Sequence, residues 1–179
     1  GNYTITSQAT TTADITKADA IVTANSSTVT YNGLNQSVTG FTASGLVGGE
    51  TESVLSNVTT SGGSGKNAGT YVHTASGTDG NYNLSFVDGA LTIAKADATV
   101  TANSSTVTYN AANQSVTGFT ASGLVGGETT DVLTGVTTAG GSGKNAGTYV
   151  HTASGTDGNY NLSFVDGALT IAKAGRAVS

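Results

Sequence analysis

One unit of 78 residues is written twice, and nothing else in the chain constrains its fold as strongly. Lys17-Ala-Asp-Ala, Lys95-Ala-Asp-Ala and Lys173-Ala recur at that spacing (95 − 17 and 173 − 95), with no insertion or deletion between copies. Residues 18–95 and 96–173 therefore read as two copies of one structural unit. Residues 1–17 read as the C-terminal end of a preceding repeat, expected to pair locally or fray, and residues 174–179 as a tail. The chain opens in the middle of a pattern, as an excerpt from something longer does. The copies differ at few positions, among them Ile21 against Thr99, Gly33 against Ala111, and Glu52-Ser53 against Thr130-Asp131. A domain this small buries only about 60% of the surface its unfolded chain exposes, which leaves it marginal unless neighbours help.

Within the unit the periodicity is that of short strands. The clearest stretch, residues 82–95, recurs letter for letter at 160–173, with Asp88-Gly89 between two alternating apolar runs. Asp-Gly in that position predicts a type I′ hairpin, because both central residues of the turn need φ > 0. With these two residues at the tip, Phe86 falls opposite Leu91 and Leu84 opposite Ile93. All four then share one face, which the rest of the unit must cover.

Residues 20–24 and 28–31 alternate as well, and the Ile21/Thr99 exchange falls on the face away from Val22, where water is expected. Asn32-Gly33 has the form of a tight turn, but Asn110-Ala111-Ala112 replaces it in the second copy, so a longer loop independent of glycine is expected there. A bulge at Gly40 brings Val38 and Phe41 into register. Residues 48–55 hold the one helical candidate, a single turn with acidic residues early and Val54 and Leu55 toward the core. A strand at 57–60 leads into a flexible loop at 61–69, a strand at 70–75 and a turn at 76–81. The chain belongs to the all-β class on this reading, with one short helical turn per unit at most. The expected architecture is a tandem of small β-sandwich or β-grasp-like domains arranged end to end. Strands of about ten residues at about 3.3 Å each give each unit a reach of roughly 30 to 40 Å.

Composition removes several function classes. The chain has no cysteine, so it has no disulfide frame, thiol nucleophile or cysteine-based zinc site. Six Lys and Arg stand against eleven Asp and Glu, without a basic cluster, so nucleic acid is not an expected partner. No apolar run reaches the roughly 18 residues that membrane insertion by a helix needs.

Candidate chemistry is sparse. Ser76, His73 and Asp79 contain the residue types of a hydrolytic triad, but no nucleophile elbow or oxyanion glycine pattern surrounds the serine. His73 and its counterpart His151 are expected to be structural, half-buried in a strand with the ring hydrogen-bonded, and no catalytic residue is assigned. The run Gly62-Gly63-Ser64-Gly65-Lys66-Asn67 is half of a calcium-binding nonapeptide pattern, with asparagine where aspartate belongs and a lysine where a cation would sit. It lacks the ending of a phosphate loop. Asp97 and Asp79, then Asp88 and Glu50, are the remaining calcium candidates, and a cation at Asp97 would stiffen the junction. Single acids spaced along strands are more often turn formers, so no metal and no other cofactor is assigned. Lys66 and Lys144 are the lysines inside the units that a Lys-to-Asn crosslink would use, but glycine loops leave an amine solvated. Asn25, Asn57 and Asn83 begin Asn-x-Ser/Thr triplets, which a chain this rich in Asn, Ser and Thr produces by chance.

Taken in order, Tyr31-Asn32-Gly33, Gly40-Phe-Thr-Ala-Ser-Gly45-Leu-Val-Gly-Gly-Glu50, Asn67-Ala-Gly-Thr-Tyr71, Gly80-Asn-Tyr82 and Val87-Asp-Gly-Ala-Leu-Thr-Ile93 resemble the MBG domain. That repeat occurs in tandem in large filamentous-haemagglutinin-like exoproteins and other bacterial surface adhesins. Residues 1–17 similarly resemble the end of the related YDG-type repeat. The resemblance covers nearly the whole chain, and the second copy departs from it at Asn110-Ala111-Ala112. It implies secretion to the bacterial cell surface and a stalk or adhesin role, and it brings no catalytic residues. The expected function is a non-catalytic segment of an extended stalk, spacing a distal binding region from the cell, with neighbouring repeats of the same chain as partners. The alternative is a repeat that itself binds host or matrix glycan or protein through exposed Tyr and Asn side chains.

Overall fold

Period-2 alternation at residues 18–24 sends Ala20, Val22 and Ala24 inward and leaves Ile21 on the opposite face 47% exposed. This strand, β1 (Ala18–Ala24), is followed by β2 (Ser27–Thr30), β3 (Gln36–Ser37), β4 (Phe41–Ser44) and a 3-10 turn at Glu52–Val54. Then come β5 (Thr59–Gly62), β6 (Ser64–Gly65), β7 (Gly69–Ser76), β8 (Tyr82–Val87) and β9 (Gly89–Ala94). The second unit repeats the series as β10 (Ala96–Ala102), β11 (Ser105–Thr108), β12 (Gln114–Ser115), β13 (Phe119–Ser122), a 3-10 turn at Thr130–Val132, β14 (Val136–Gly140), β15 (Ser142–Gly143), β16 (Gly147–Gly155), β17 (Tyr160–Val165) and β18 (Gly167–Ala172). The computed structural model describes residues 1–4 and 10–175.

In the first unit one sheet has the order β4-β1-β8 and a larger one β2-β9-β7-β5, while β3 and β6 form a two-stranded ribbon. β1 runs parallel to β8, with Val22 opposite Phe86, and β2 runs parallel to β9, with Val29 opposite Ile93. The chain therefore crosses directly from the smaller sheet to the larger at Asn25-Ser26 and at Asp88, side by side and in one direction, and a third time from β4 to β5 by way of the 3-10 turn. Ala20, Val22 and Ala24 pack on Ala75 of β7 and on Leu55 and Val58, which the 3-10 turn delivers. Further along, Leu91 and Ile93 pack with Val29, Val38 and Tyr71. Each unit is thus a small two-layer sandwich drawn out along these strand pairs. The helical piece between β4 and β5 is a three-residue 3-10 turn, the one short helical turn per unit that the sequence allows.

Several local expectations are corrected. β8 and β9 do not form a hairpin: β8 pairs with β1, and Leu91 on β9 lies opposite Ser27 and Tyr71. Leu91 and Ile93 are fully buried, but Phe86 is 38% exposed. Neither Asp88 nor Gly89 has positive φ. Glycine is required at 89 because a Cβ would stand 2.2 Å from the carbonyl oxygen of Ala24, so the Asp-Gly pair marks a close backbone approach.

Gly40 (φ 80°) makes a corner in place of the expected bulge, since β3 pairs with β6 while β4 pairs with β1. The expected flexible loop at 61–69 is folded: it contains the end of β5, β6 and the start of β7, and a Cβ on Gly65 would stand 2.1 Å from the Tyr71 ring. The turn at Asn32 is tight in both copies. Asn32 Oδ1 accepts the Leu34 N–H (2.9 Å), Asn110 Oδ1 accepts that of Ala112 (3.0 Å), and Ala111 adopts φ 64° beside 76° for Gly33. Leu55 enters the core, but Val54 is 37% exposed. Residues 1–4 and 10–17 form no strand. Residues 5–9 of the expected repeat end, and 176–179 of the expected tail, lie outside the described residues.

Candidate functional site: the joint between units

β9 ends at Ala94 and β10 begins at Ala96, so Lys95 is the whole linker. Its Nζ donates to the carbonyl oxygen of Asp157 (2.7 Å), and the next N–H, that of Ala96, donates to the carbonyl of Asn159 (3.0 Å). The linker is therefore fastened to the second unit by side chain and backbone together.

Tyr31 follows β2, and its N–H donates to the carbonyl of Ala94 (2.8 Å), which fixes it at the end of the first unit. It is only 3% exposed because the second unit covers it. Its hydroxyl donates to Oε1 of Glu128 (2.5 Å), while the Tyr160 hydroxyl donates to Oε2 (2.6 Å) and accepts the N–H of Val125 (3.0 Å). The two rings meet edge to face, 5.4 Å between centroids at 85°. Beside them a Cβ on Gly33 would lie 3.3 Å from the Cα of Gly126, so the two backbones touch. Asn159 accepts the Ala68 N–H at Oδ1 (2.9 Å) and donates to Oδ1 of Asn67 (3.3 Å).

The charges in this cluster support one another. Burial first, then the hydrogen bond to Glu128 and its negative charge, push the Tyr31 hydroxyl up to about 12. Tyr160 is raised for the same reasons in the same order. Burial alone pushes the Glu128 carboxyl up, but hydrogen bonds from Tyr160 and Tyr31 and the positive charge of Lys66 together hold it below its ordinary value. An ionised carboxylate between two neutral phenols is thus the favoured state, and it is the one in which every donor has its acceptor.

The same residues recur at the outer poles of the two units. Tyr82 donates to Oε2 of Glu50 and accepts the N–H of Val47 (3.0 Å). These residues, with Ile15 and Asn81, line a shallow cleft of about 260 Å³. At the other pole Tyr109, the counterpart of Tyr31, is 38% exposed.

The acids considered for calcium do not meet. Asp97 is exposed on β10 and accepts from Asn161 Nδ2 (3.1 Å). Asp79 Oδ1 accepts the N–H groups of Asn81 (2.7 Å) and Tyr82 (3.1 Å), which is the chemistry of a turn former. Asp88 is exposed at the crossing between sheets, and Glu50 is held by Tyr82. Among the described residues no three His, Asp or Glu side chains gather as a metal site would require. His73 is fully buried and donates from Nδ1 to the carbonyl of Asn25 (2.8 Å), as His151 does to Asn103 (2.8 Å). Lys66 and Lys144 are exposed.

Tyr31, Glu128 and Tyr160 were not singled out by sequence reasoning. The available signal was scarcity: with only 9% of residues charged, an acid kept at Glu50 and Glu128 while Glu52 gives way to Thr130 has a task that its neighbour lacks. A family model described as the MBG domain (YGX type) matches residues 20–92 and again residues 98–170. Comparison with curated proteins gave no match. The two matches share the 78-residue period (98 − 20) and span most of the chain. The chain belongs to the MBG domain family, YGX type, as two tandem copies joined through the Tyr31, Glu128 and Tyr160 cluster.

Proposed function

We propose that this tandem of MBG domains is a segment of the extended stalk of a secreted bacterial adhesin, holding a distal binding region away from the cell surface. The observation that carries the reading is the joint, a one-residue linker with side chains of both units interlocked across it. Span depends on how joints behave. Freely jointed segments reach a distance that grows with the square root of their number, whereas fixed joints make reach proportional to it. A stalk needs the second regime, and Lys95 with the tyrosine cluster favours it. The work of such a segment is geometric, and its immediate partners are the units on either side.

Small-angle scattering from the two-unit chain tests the proposal. A rod of narrowly distributed length is expected; a compact particle, or a broad spread of bends between the units, would refute it. A glycan array probed with the same chain is expected to be silent. Specific binding there would favour the alternative in which the repeat itself holds the ligand.

A further inference from the structure

We propose that the two outer poles of this tandem are the two halves of the joint it already contains, so that the Tyr109 pole of one molecule docks into the Glu50 and Tyr82 cleft of a second copy, head to tail. The inference concerns the fit of one pole to the other, a fit that neighbouring units of one chain would make in a longer stalk and that separate copies of this tandem make between molecules.

The socket is already assembled. Val47, Glu50, Asn81 and Tyr82 stand 78 residues before Val125, Glu128, Asn159 and Tyr160, with no change of residue type. Tyr82 holds Oε2 of Glu50 as Tyr160 holds Oε2 of Glu128. In the joint the other oxygen takes the hydroxyl of Tyr31. At Glu50, Oε1 has no donor among the described residues, and the carboxylate is exposed where that of Glu128 is half-buried. Lys17 reaches the carbonyl of Asp79 (2.7 Å) as Lys95 reaches that of Asp157 (2.7 Å), so the rim is set in the same way.

The plug is equally prepared. The Tyr109 N–H donates to the carbonyl of Ala172 (2.8 Å), as that of Tyr31 does to Ala94 (2.8 Å), so both rings are presented from the same backbone anchor. Tyr31 is 3% exposed and Tyr109 38%, and the difference is the surface that the facing unit covers in the joint. Residues 10–17 are the sequence counterparts of 88–95, but they form no strand and Ile15 is 97% exposed. That segment can yield to an incoming unit at little cost.

Two differences set the strength. Separate molecules lack the Lys95 tether, whose contribution is an effective concentration on the order of millimolar, so association is expected near that protein concentration. Ala111 also replaces Gly33. A Cβ at Gly33 would lie 3.3 Å from Gly126, so the Ala111 methyl presses on Gly48 of the second copy and the fit loosens by a few tenths of an ångström. The contact joins unlike poles, so it is heterologous and leaves each new copy with one pole to extend the series.

Sedimentation equilibrium of the full chain at concentrations up to about 1 mM tests this. Average mass should rise with concentration. Tyr109→Ala and Glu50→Gln should each weaken association by about tenfold or more, as loss of a central anchor does, and Ala111→Gly should tighten it. Tyr109 is exposed, so Tyr109→Ala should melt like the parent, whereas Glu50→Gln also weakens the acceptor of the Tyr82 hydroxyl and should melt lower. The chain has no cysteine, which makes a second measurement clean. Asn81→Cys with Ala146→Cys places thiols at the counterparts of Asn159 and Ala68, which touch in the joint. Mild oxidation should give a ladder of covalent oligomers. A chain that stays monomeric at about 1 mM and forms no ladder, or association that Tyr109→Ala leaves unchanged, overturns the proposal.

Discussion

Tyr31 and Tyr160 belong to different units, yet their rings meet edge to face at 5.4 Å and their hydroxyls hold opposite oxygens of Glu128. The carboxylate is the shared acceptor, so the three side chains should act as one element. A hydrogen bond to a charged group contributes about 1.5–3 kcal/mol. Glu128→Gln removes the charge and leaves one oxygen where two were used, and a loss of about 2 kcal/mol is expected. Tyr31→Phe should cost a similar amount, and the double variant less than the sum, because the second change removes what the first has already broken. Denaturant unfolding of the four proteins measures this. Strict additivity would mean that the cluster is not a unit.

The joint should have a pH window with two distinct edges. Tyr31 is raised from 10.0 to about 12, so the neutral phenol is favoured by the folded state. Its contribution is complete below pH 10 and is lost as pH rises through about 12. Glu128 is held below its ordinary 4.5, so its contribution is complete above that value and fades as pH falls beneath it. Tyrosinate absorbance checks the alkaline edge: the difference between the parent titration and that of Tyr31→Phe should centre near 12. A centre near 10 would show the hydroxyl to be free.

Ala111 holds φ 64°, a conformation that costs an alanine roughly 1–2 kcal/mol and a glycine almost nothing. Ala111→Gly is expected to stabilise the second unit by about 1 kcal/mol. Gly33→Ala should do the reverse by a larger amount, because its methyl would also press on Gly126 across the joint. Thermal melts of the two single variants decide the matter, and equal shifts of one sign would contradict it.

Gly89→Ala should be among the most damaging single-methyl changes in the chain. The added carbon would lie 2.2 Å from the Ala24 carbonyl and 2.4 Å from that of Asn25, the acceptor of the His73 ring. A loss of about 3 kcal/mol or more is expected from overpacking against backbone that cannot retreat. Gly80→Ala is the control, since nothing lies within 4 Å of the position, and a change within about 0.5 kcal/mol is expected. Both are read by denaturant unfolding.

What could be read from the letters follows from which physics leaves a local trace. The 78-residue period, the strand alternation around Val22 and the brief turn before Leu55 were legible, because repetition and amphipathic pattern are properties of neighbouring positions. The pairing of β8 with β1 was not, since Asp88-Gly89 spells a hairpin whether glycine supplies a positive φ or merely leaves room for Ala24. Ala111 misled in the opposite sense: an exchanged glycine suggested a relaxed loop, and the structure keeps the turn with alanine in it. For the joint, Glu50 drew notice only as a lone acid, because the tyrosines that give it meaning lie 32 residues away in the same unit and, at Glu128, 97 residues away in the other. Contacts at that range carry no signature in spacing.

The parallel pairing of β1 with β8 and of β2 with β9 has a mechanical consequence. When the two ends of a unit are tugged apart, its opening and closing strands are dragged past each other in shear. All the rungs between them take the strain at once, whereas a hairpin pulled at its open end would unzip rung by rung. Forced unfolding is governed by the barrier to leaving the native state, and a ladder that must yield as a whole raises that barrier along the direction in which a tethered chain is stretched.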